Sequence, residues 1–152
     1  MLLSPYIDKE FKPLRSNLKK RPDLFLTGLS IIISFLAYRS GNISLTLILY
    51  TLVISAIPEE WFFRIYCQPR LIKYCSSFMT KRTGVIIGIT LTSVLFSALH
   101  AIAQENIHQM YLIFIPSMIY GYAYHKTRDL LLIVNLHFIS NIILYSVIPY
   151  KI

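Results

Sequence analysis

The sequence has few charged residues and only seven acidic ones in 152 positions. Charged side chains make up 14% of the chain and hydrophobic ones 55%, whereas a soluble domain has about 25% charged residues. The two cysteines, Cys67 and Cys75, do not form a C-x-x-C motif, which argues against a redox or zinc-ribbon site and favours reduced, non-functional thiols. With only five glycines, the chain shows no low-complexity segment and no internal repeat. These deficits favour a membrane protein over a soluble domain.

Long apolar runs are present instead, at residues 24–38, 43–57, 85–103, 110–124 and 130–148. Each run is roughly 15–20 residues long, and about 20 residues cross ~30 Å of hydrocarbon as a helix. We therefore predict an all-α, polytopic membrane helix bundle of about five transmembrane helices, with a four-helix core and an N-terminal anchor. Four spans result if the first two runs form a re-entrant hairpin. Residues 1–22 are predicted to be a basic cytoplasmic or interfacial segment, and residues 23–152 the membrane-embedded domain.

The net charge of +8 is explained by topology. With five spans and a cytoplasmic N-terminus, all Lys and Arg residues except Arg39 and Lys151 fall on the cytoplasmic side. This is the positive-inside pattern of multi-pass proteins. It predicts a lipid bilayer as partner, with anionic headgroups near the basic loops, and it excludes a nucleic-acid role.

Strongly polar side chains inside the predicted spans form a short set: Glu59, Glu60, Arg64, His100, Asn135, His137 and Asn141. Charged groups in a membrane are unfavourable unless they are paired, so such residues mark functional sites by default. A single intramembrane histidine or asparagine is, however, more often a hydrogen-bonding contact between helices, and we assign Asn135 to that class. The other members fall on one face of each helix, which predicts a common polar interior.

The two adjacent carboxylates differ in their local partners. Glu60 and Arg64 are four residues apart on one helix face, the preferred order for an ion pair, so Glu60 is predicted to be structural. Glu59 has no cation three or four residues away in its own helix. Its partners must therefore come from other helices, and His100 and His137 are available. Pro58, immediately before the pair, is predicted to kink this span.

One carboxylate, two imidazoles and a carboxamide are suited to hydrolysis. Glu59 would act as general base toward water, with His100 holding that water or sharing its proton. His137 and Asn141 would donate hydrogen bonds to a developing oxyanion. No G-x-S-x-G motif is present, and no H-E-x-x-H motif. A dispersed Glu/His/His site also suits Zn²⁺, so that alternative stays open.

Three motifs occur in order, each on its own predicted span: E-E-x-x-x-R at residues 59–64, F-x-x-x-H at 96–100 and H-x-x-x-N at 137–141. The ordered set resembles the CPBP family of CAAX proteases and bacteriocin-processing enzymes, also called the Abi family. The segment 121–130 resembles the family's approach to the third motif, but Arg128 and Asp129 stand where Gly-Ser is common.

The resemblance implies an intramembrane glutamic endopeptidase that needs no metal cofactor. It implies Glu59 and His100 as the residues that activate water, His137 and Asn141 at the oxyanion site, and Glu60 with Arg64 as support. The substrate would be a peptide or protein, including membrane-anchored or lipidated ones. The compact chain is similar to bacterial members in the inner or plasma membrane, which are proposed to process leader peptides or C-terminal signals.

Three alternatives remain at this point: a CAAX prenyl protease-like activity, a non-catalytic membrane immunity or maturation factor, and a proton or ion pathway. One expectation also conflicts with a shared site. For straight helices that rise 1.5 Å per residue, Glu59 would lie ~6 Å, His137 ~12 Å and His100 ~24 Å from the inner hydrocarbon edge. These depths do not coincide.

Overall fold

The computed structural model describes residues 22–105 and 107–147, which form five helices and no strand. In chain order they are α1 (Pro22–Arg39), α2 (Leu45–Ser76), α3 (Lys81–Ala103), α4 (Ile107–Thr127) and α5 (Leu130–Val147). The all-α helix bundle is therefore confirmed. The predicted interfacial segment, apart from Pro22, and the last residue of the fifth apolar run, Ile148, lie outside the described residues.

Helices α2, α3 and α5 are long and apolar enough to cross a membrane. Helices α1 and α4 coincide with the other two predicted spans. Large apolar side chains such as Phe25, Ile32, Leu112 and Ile119 are exposed on the outer surface of the bundle. Apolar surface of this extent is unfavourable in water and matches contact with lipid.

Helix α2 differs from its predicted extent. The second span was expected to run into the acidic motif and to be followed by a basic loop that reaches Arg82. Instead the helix continues for 32 residues to Ser76, and only a short turn at 77–80 separates it from α3. The helix can pass through the acidic motif because Glu60 and Arg64, four residues apart in the same helix, form an ion pair that is buried in the bundle. At 1.5 Å per residue it is about 48 Å long.

The irregularity expected at Pro58 takes a specific form. Two π-helical segments, Thr51–Ala56 and Trp61–Cys67, flank the α-helical segment Ile57–Glu60. Proline has no backbone N–H, so it cannot continue the regular hydrogen-bond ladder of an α-helix. π-Helical turns are rare and are frequent at functional sites, and here they enclose both carboxylates.

The hairpin of α2 and α3 is held by close backbone contact at two glycines. A Cβ atom added to Gly88 would lie 2.7 Å from the Cα of Ile72, and one added to Gly84 would lie 2.7 Å from the Cα of Ser76. The two contacts are four residues apart on each helix, so the α2 and α3 backbones stay in close contact along one full helical turn. Helix α4 packs on the other side of α3.

Helix α1 packs against α5 through buried polar contacts. The Ser30 hydroxyl donates to Oδ1 of Asn135 at 2.9 Å, and Nδ2 of Asn135 donates to the Thr27 hydroxyl at 3.0 Å. Asn135 thus joins two helices, which confirms the structural role predicted for it. The N-terminal helix is a packed part of the bundle.

We predict that Gly88→Ala destabilises the protein by about 1–3 kcal/mol, because the added methyl group would force the α2 and α3 backbones apart. Gly28→Ala is the matched control, since nothing lies within 4 Å of its added Cβ. The measurement is reversible unfolding of both variants in detergent micelles. Equal stability of the two variants would contradict the close contact.

Candidate active site

Three of the residues singled out from the sequence meet between α2, α3 and α5. Nε2 of His100 lies 3.3 Å from Oε2 of Glu59, and Nε2 of His137 lies 3.9 Å from the same oxygen. The side chains of Glu59 and His100 are 25% and 23% exposed, whereas that of His137 is 7% exposed. One carboxylate oxygen therefore faces two imidazole nitrogens. This oxygen is itself buried, although the Glu59 and His100 side chains are partly accessible.

The other oxygen of Glu59 has a partner that was not foreseen. The Ser55 hydroxyl, four residues earlier on α2, donates to Oε1 at 2.7 Å. Sequence reasoning considered only cations at this spacing and so passed over the hydroxyl. Because Oε1 is held by Ser55, the orientation of the carboxylate is set and Oε2 is directed at the imidazoles.

Glu60 has a different environment. Its side chain is fully buried, and Oε2 accepts a hydrogen bond of 2.7 Å from Nε of Arg64, which is also fully buried. Its other oxygen, Oε1, lies 2.9 Å from Nδ1 of His137. Both oxygens are thus occupied, and the predicted ion pair with Arg64 is confirmed. Glu60 holds His137 in addition, which the sequence did not reveal.

The two imidazoles have the same orientation relative to Glu59. Nδ1 of His137 faces the Glu60 carboxylate, and Nδ1 of His100 lies 2.9 Å from the backbone carbonyl of Phe96. A backbone carbonyl and a carboxylate paired with Arg64 both act as hydrogen-bond acceptors, so Nδ1 is assigned as the protonated nitrogen of both rings. Each Nε2 then carries a lone pair when its ring is neutral, and it donates a hydrogen bond when its ring is an imidazolium.

Charge balance limits how many protons the site holds. Glu59 and Glu60 contribute two negative charges and Arg64 one positive charge. An isolated net charge is unfavourable in a low-dielectric interior. One further proton, shared among Oε2 of Glu59 and the two Nε2 atoms, makes the cluster neutral. This proton also lies between the lone pairs of Oε2 and the Nε2 atoms, which would otherwise face one another.

Aromatic rings close the site on the side that faces the Ser76 end of α2. The ring of Phe96 stacks on His100 at 4.4 Å and meets Phe63 edge-on at 4.8 Å. The Arg64 guanidinium lies 5.6 Å from the centre of the same ring. The F-x-x-x-H spacing thus serves two contacts, because Phe96 holds His100 through both its ring and its carbonyl oxygen.

Asn141 lies on α5 one turn beyond His137 and is partly exposed. Its side chain forms no hydrogen bond with another residue that the structure describes. It therefore differs from the other three site residues, which contact one another directly. Its carboxamide remains available for a group that enters from outside.

Sequence reasoning missed two buried hydrogen bonds that support Arg64. Nη2 of Arg64 donates to the Ser117 hydroxyl at 3.0 Å, and Nε2 of Gln68 donates to the backbone carbonyl of Gly121 at 2.9 Å. Arg64 and Gln68 are four residues apart on α2, as are Ser117 and Gly121 on α4. The polar residue Gln68 beyond the E-E-x-x-x-R motif was the available signal, but it was assigned to a loop.

Tyr120 was also missed. Its ring stacks on His137 at a centroid distance of 6.1 Å, and its hydroxyl lies 2.6 Å from that of Ser140. His137 is therefore bounded by Tyr120, Phe96 and Glu60. A tyrosine in a chain with eleven of them gave no sign of this position.

The conflict in depth disappears because the assumed helix ends were wrong. Glu59 was placed near the inner edge on the assumption that its span ended within the acidic motif. In the 32-residue helix it instead lies near the middle. His100 remains close to the end of α3, and the long side chains of both residues then meet.

The metal alternative concerns the part of the chain that the structure describes, residues 22–105 and 107–147. No cluster of three or more His, Cys, Asp or Glu side chains there has suitable geometry. Two imidazoles with protonated Nδ1 atoms do present lone pairs as zinc ligands would. The metal alternative is therefore left to experiment.

The fold and the site define an integral membrane protein of helical type with a buried carboxylate–imidazole cluster. A family model described as type II CAAX prenyl endopeptidase Rce1-like matches residues 42–143. The chain therefore belongs to this family of membrane proteases, and the resemblance seen in the three motifs is confirmed. Neither the curated proteins nor the solved structures contain a match.

We predict that Arg64→Met destabilises the protein by about 3–5 kcal/mol, because it leaves the Glu60 carboxylate buried without its cation. Glu59→Gln should change stability far less, since Glu59 is partly exposed and its hydroxyl partner Ser55 tolerates an amide oxygen. Unfolding of both variants in the same detergent provides the comparison. Similar losses for the two would show that Glu60 and Glu59 do not differ in role.

Proposed function

We propose that the protein is an intramembrane glutamic endopeptidase in which Glu59 is the general base. The observation that supports this most is the direction of Oε2, which faces Nε2 of both His100 and His137. Family membership supports peptide-bond hydrolysis in a membrane. The catalytic subtype and the substrate are parts of the proposal.

In the proposed reaction a water molecule binds beside Oε2 of Glu59 and Nε2 of neutral His100. Its oxygen attacks the carbonyl carbon of the scissile bond while one of its protons passes to Glu59 or His100. The carbonyl oxygen becomes an oxyanion. The same proton is then transferred to the leaving nitrogen, so that the C–N bond breaks and the base is restored.

His137 is the proposed oxyanion donor. Its Nδ1–H is held by Glu60, so its Nε2 can donate only as the imidazolium. The single extra proton required for charge balance makes this form available, and the carboxylate of Glu60 stabilises it. Asn141, one turn further along α5, would supply a second donor through its free carboxamide.

The proposed substrate is a peptide or protein segment at the membrane, including membrane-anchored or lipidated ones. Bacterial leader peptides or C-terminal signals fit the compact chain, and a prenylated CAAX tail is the alternative within the same family. Ser55 donates its hydroxyl proton to Oε1 of Glu59, whereas Oε2, which faces the two imidazoles, has no hydroxyl partner among the described residues. This arrangement supports direct attack by water over a covalent intermediate.

We predict that Glu59→Gln and His100→Ala each lower the cleavage rate by about 10²–10⁴-fold, the usual contribution of a positioned acid–base group. Glu105→Gln, at an exposed carboxylate in the α3–α4 turn, is the matched control and should retain activity. The assay is cleavage of a candidate membrane-anchored precursor by the reconstituted protein.

Other outcomes of this assay would favour one of the alternatives to the glutamic mechanism. Cleavage that survives both site substitutions would exclude the glutamic mechanism. Activity that is lost to a chelator and restored by Zn²⁺ would favour a metal-dependent reaction at the same residues. A wild-type protein that folds but cleaves no precursor, in contrast, would support the non-catalytic factor.

A further inference from the structure

The polar surroundings of the site are strongly asymmetric along the helix axes. Toward one end of the bundle, the residues one turn from Glu59, His100 and His137 are Ser55, Gln104 and Asn141. All three are polar and accessible, either partly or fully. The same three helices thus each present a polar group on the outward side of the site, at the end where α2 begins and where α3 and α5 finish.

Toward the other end, the residues four positions away are apolar and buried, and nearby polar groups such as Ser97 are buried as well. They are Phe63, Phe96 and Ile133, with exposures of 6%, 3% and 0%. Beneath Phe63 and Phe96 lie the fully buried Arg64 and the almost fully buried Gln68. Water thus has a polar approach to the cluster from one end and meets a packed floor at the other.

The partial exposure of Glu59 requires an aqueous neighbour. A quarter of its side chain is accessible although Oε2 itself is buried, and an ionised carboxylate next to hydrocarbon is strongly unfavourable. The polar row of Thr51, Ser55 and Glu59, spaced by four residues on α2, leads from this carboxylate toward the start of the helix. The accessible side of the site therefore faces the end that carries Ser55, Gln104 and Asn141.

The two ends of the bundle also differ in charge. The end with the 77–80 turn has six of the cationic residues that the structure describes: Arg70, Lys73, Lys81, Arg82, Lys126 and Arg128. At the opposite end the described residues include only Arg39. By the positive-inside tendency, the end rich in cations lies in the cytoplasm.

We propose that the site opens to the membrane face opposite the cation-rich end, so that water and substrate reach Glu59 from the non-cytoplasmic side. If the chain is the peptidase proposed above, its substrate class follows: a translocated polypeptide whose cleaved segment lies at the outer leaflet. A tail that is lipid-modified in the cytoplasm would approach the closed floor. The opening itself does not depend on the catalytic proposal.

Cysteine labelling tests this directly in the full chain. The background variant replaces Cys67 and Cys75 with alanine, and single cysteines are then introduced. Ser40→Cys and Ser77→Cys, both in exposed turns, report the two faces. A sulfonated, membrane-impermeant maleimide is added to intact cells and, separately, to inside-out vesicles, and labelling is measured by mass shift.

We expect Asn141→Cys to be labelled from the face that labels Ser40→Cys, and Ser77→Cys to be labelled only from the cytoplasmic face. Ser93→Cys is the matched control, because Ser93 is fully buried on the floor side of the site and should be protected from both faces. Ser55→Cys, which is nearly isosteric, repeats the test should Asn141→Cys fail to fold.

The proposal is overturned if Asn141→Cys and Ser55→Cys react from the Ser77 face or from neither face, or if Ser93→Cys reacts from the Ser77 face. None of these labelling measurements depends on cleavage of a substrate by the protein. Labelling from the Ser40 face in a protein without peptidase activity would therefore refute the proposed function and leave the opening intact.

Discussion

The buried ion pair between Glu60 and Arg64 is the interaction on which the rest of the site depends. Two fully buried charges are stabilised by additional hydrogen bonds to their remaining donors and acceptors, and here all of these except Nη1 of Arg64 have a hydrogen-bond partner among the described residues. Ser117 supplies one such partner on α4 and His137 another on α5. The pair therefore joins three helices, and it fixes the position of an imidazole that faces the Glu59 carboxylate.

This constraint explains why two adjacent carboxylates have different roles. Consecutive residues on a helix project about 100° apart, so Glu60 points into the bundle when Glu59 points toward α3. The first is occupied by Arg64 and His137. The second has one oxygen held by Ser55 and one directed at two Nε2 atoms. Glu59 is thus the carboxylate whose protonation can change at little structural cost.

The polar cluster was predictable because acids and histidines are rare inside apolar runs. A short list of such residues, read with helical spacing, was enough to separate Glu59 from Glu60. The interhelical role of Asn135 was predictable for the same reason. All-α architecture followed from five apolar runs separated by polar turns.

Other features could not be read from the sequence. Serine, threonine and tyrosine are common, so Ser55, Ser117 and Tyr120 could be identified only through their contacts. The extent of α2 was missed because the basic residues beyond the acidic motif predict a cytoplasmic loop, whereas the helix continues to Ser76. The relative depths of three helices depend on such ends and on tertiary packing.

The central claim is that Glu60 holds His137 with Nδ1 protonated, so that Nε2 faces Glu59. Nitrogen NMR of ¹⁵N-histidine-labelled protein measures this directly, since the chain has only four histidines and each can be assigned by single substitution. The account predicts a protonated Nδ1 in both His137 and His100. An unprotonated Nδ1 in His137 would mean that Glu60 is not its acceptor and would contradict the account.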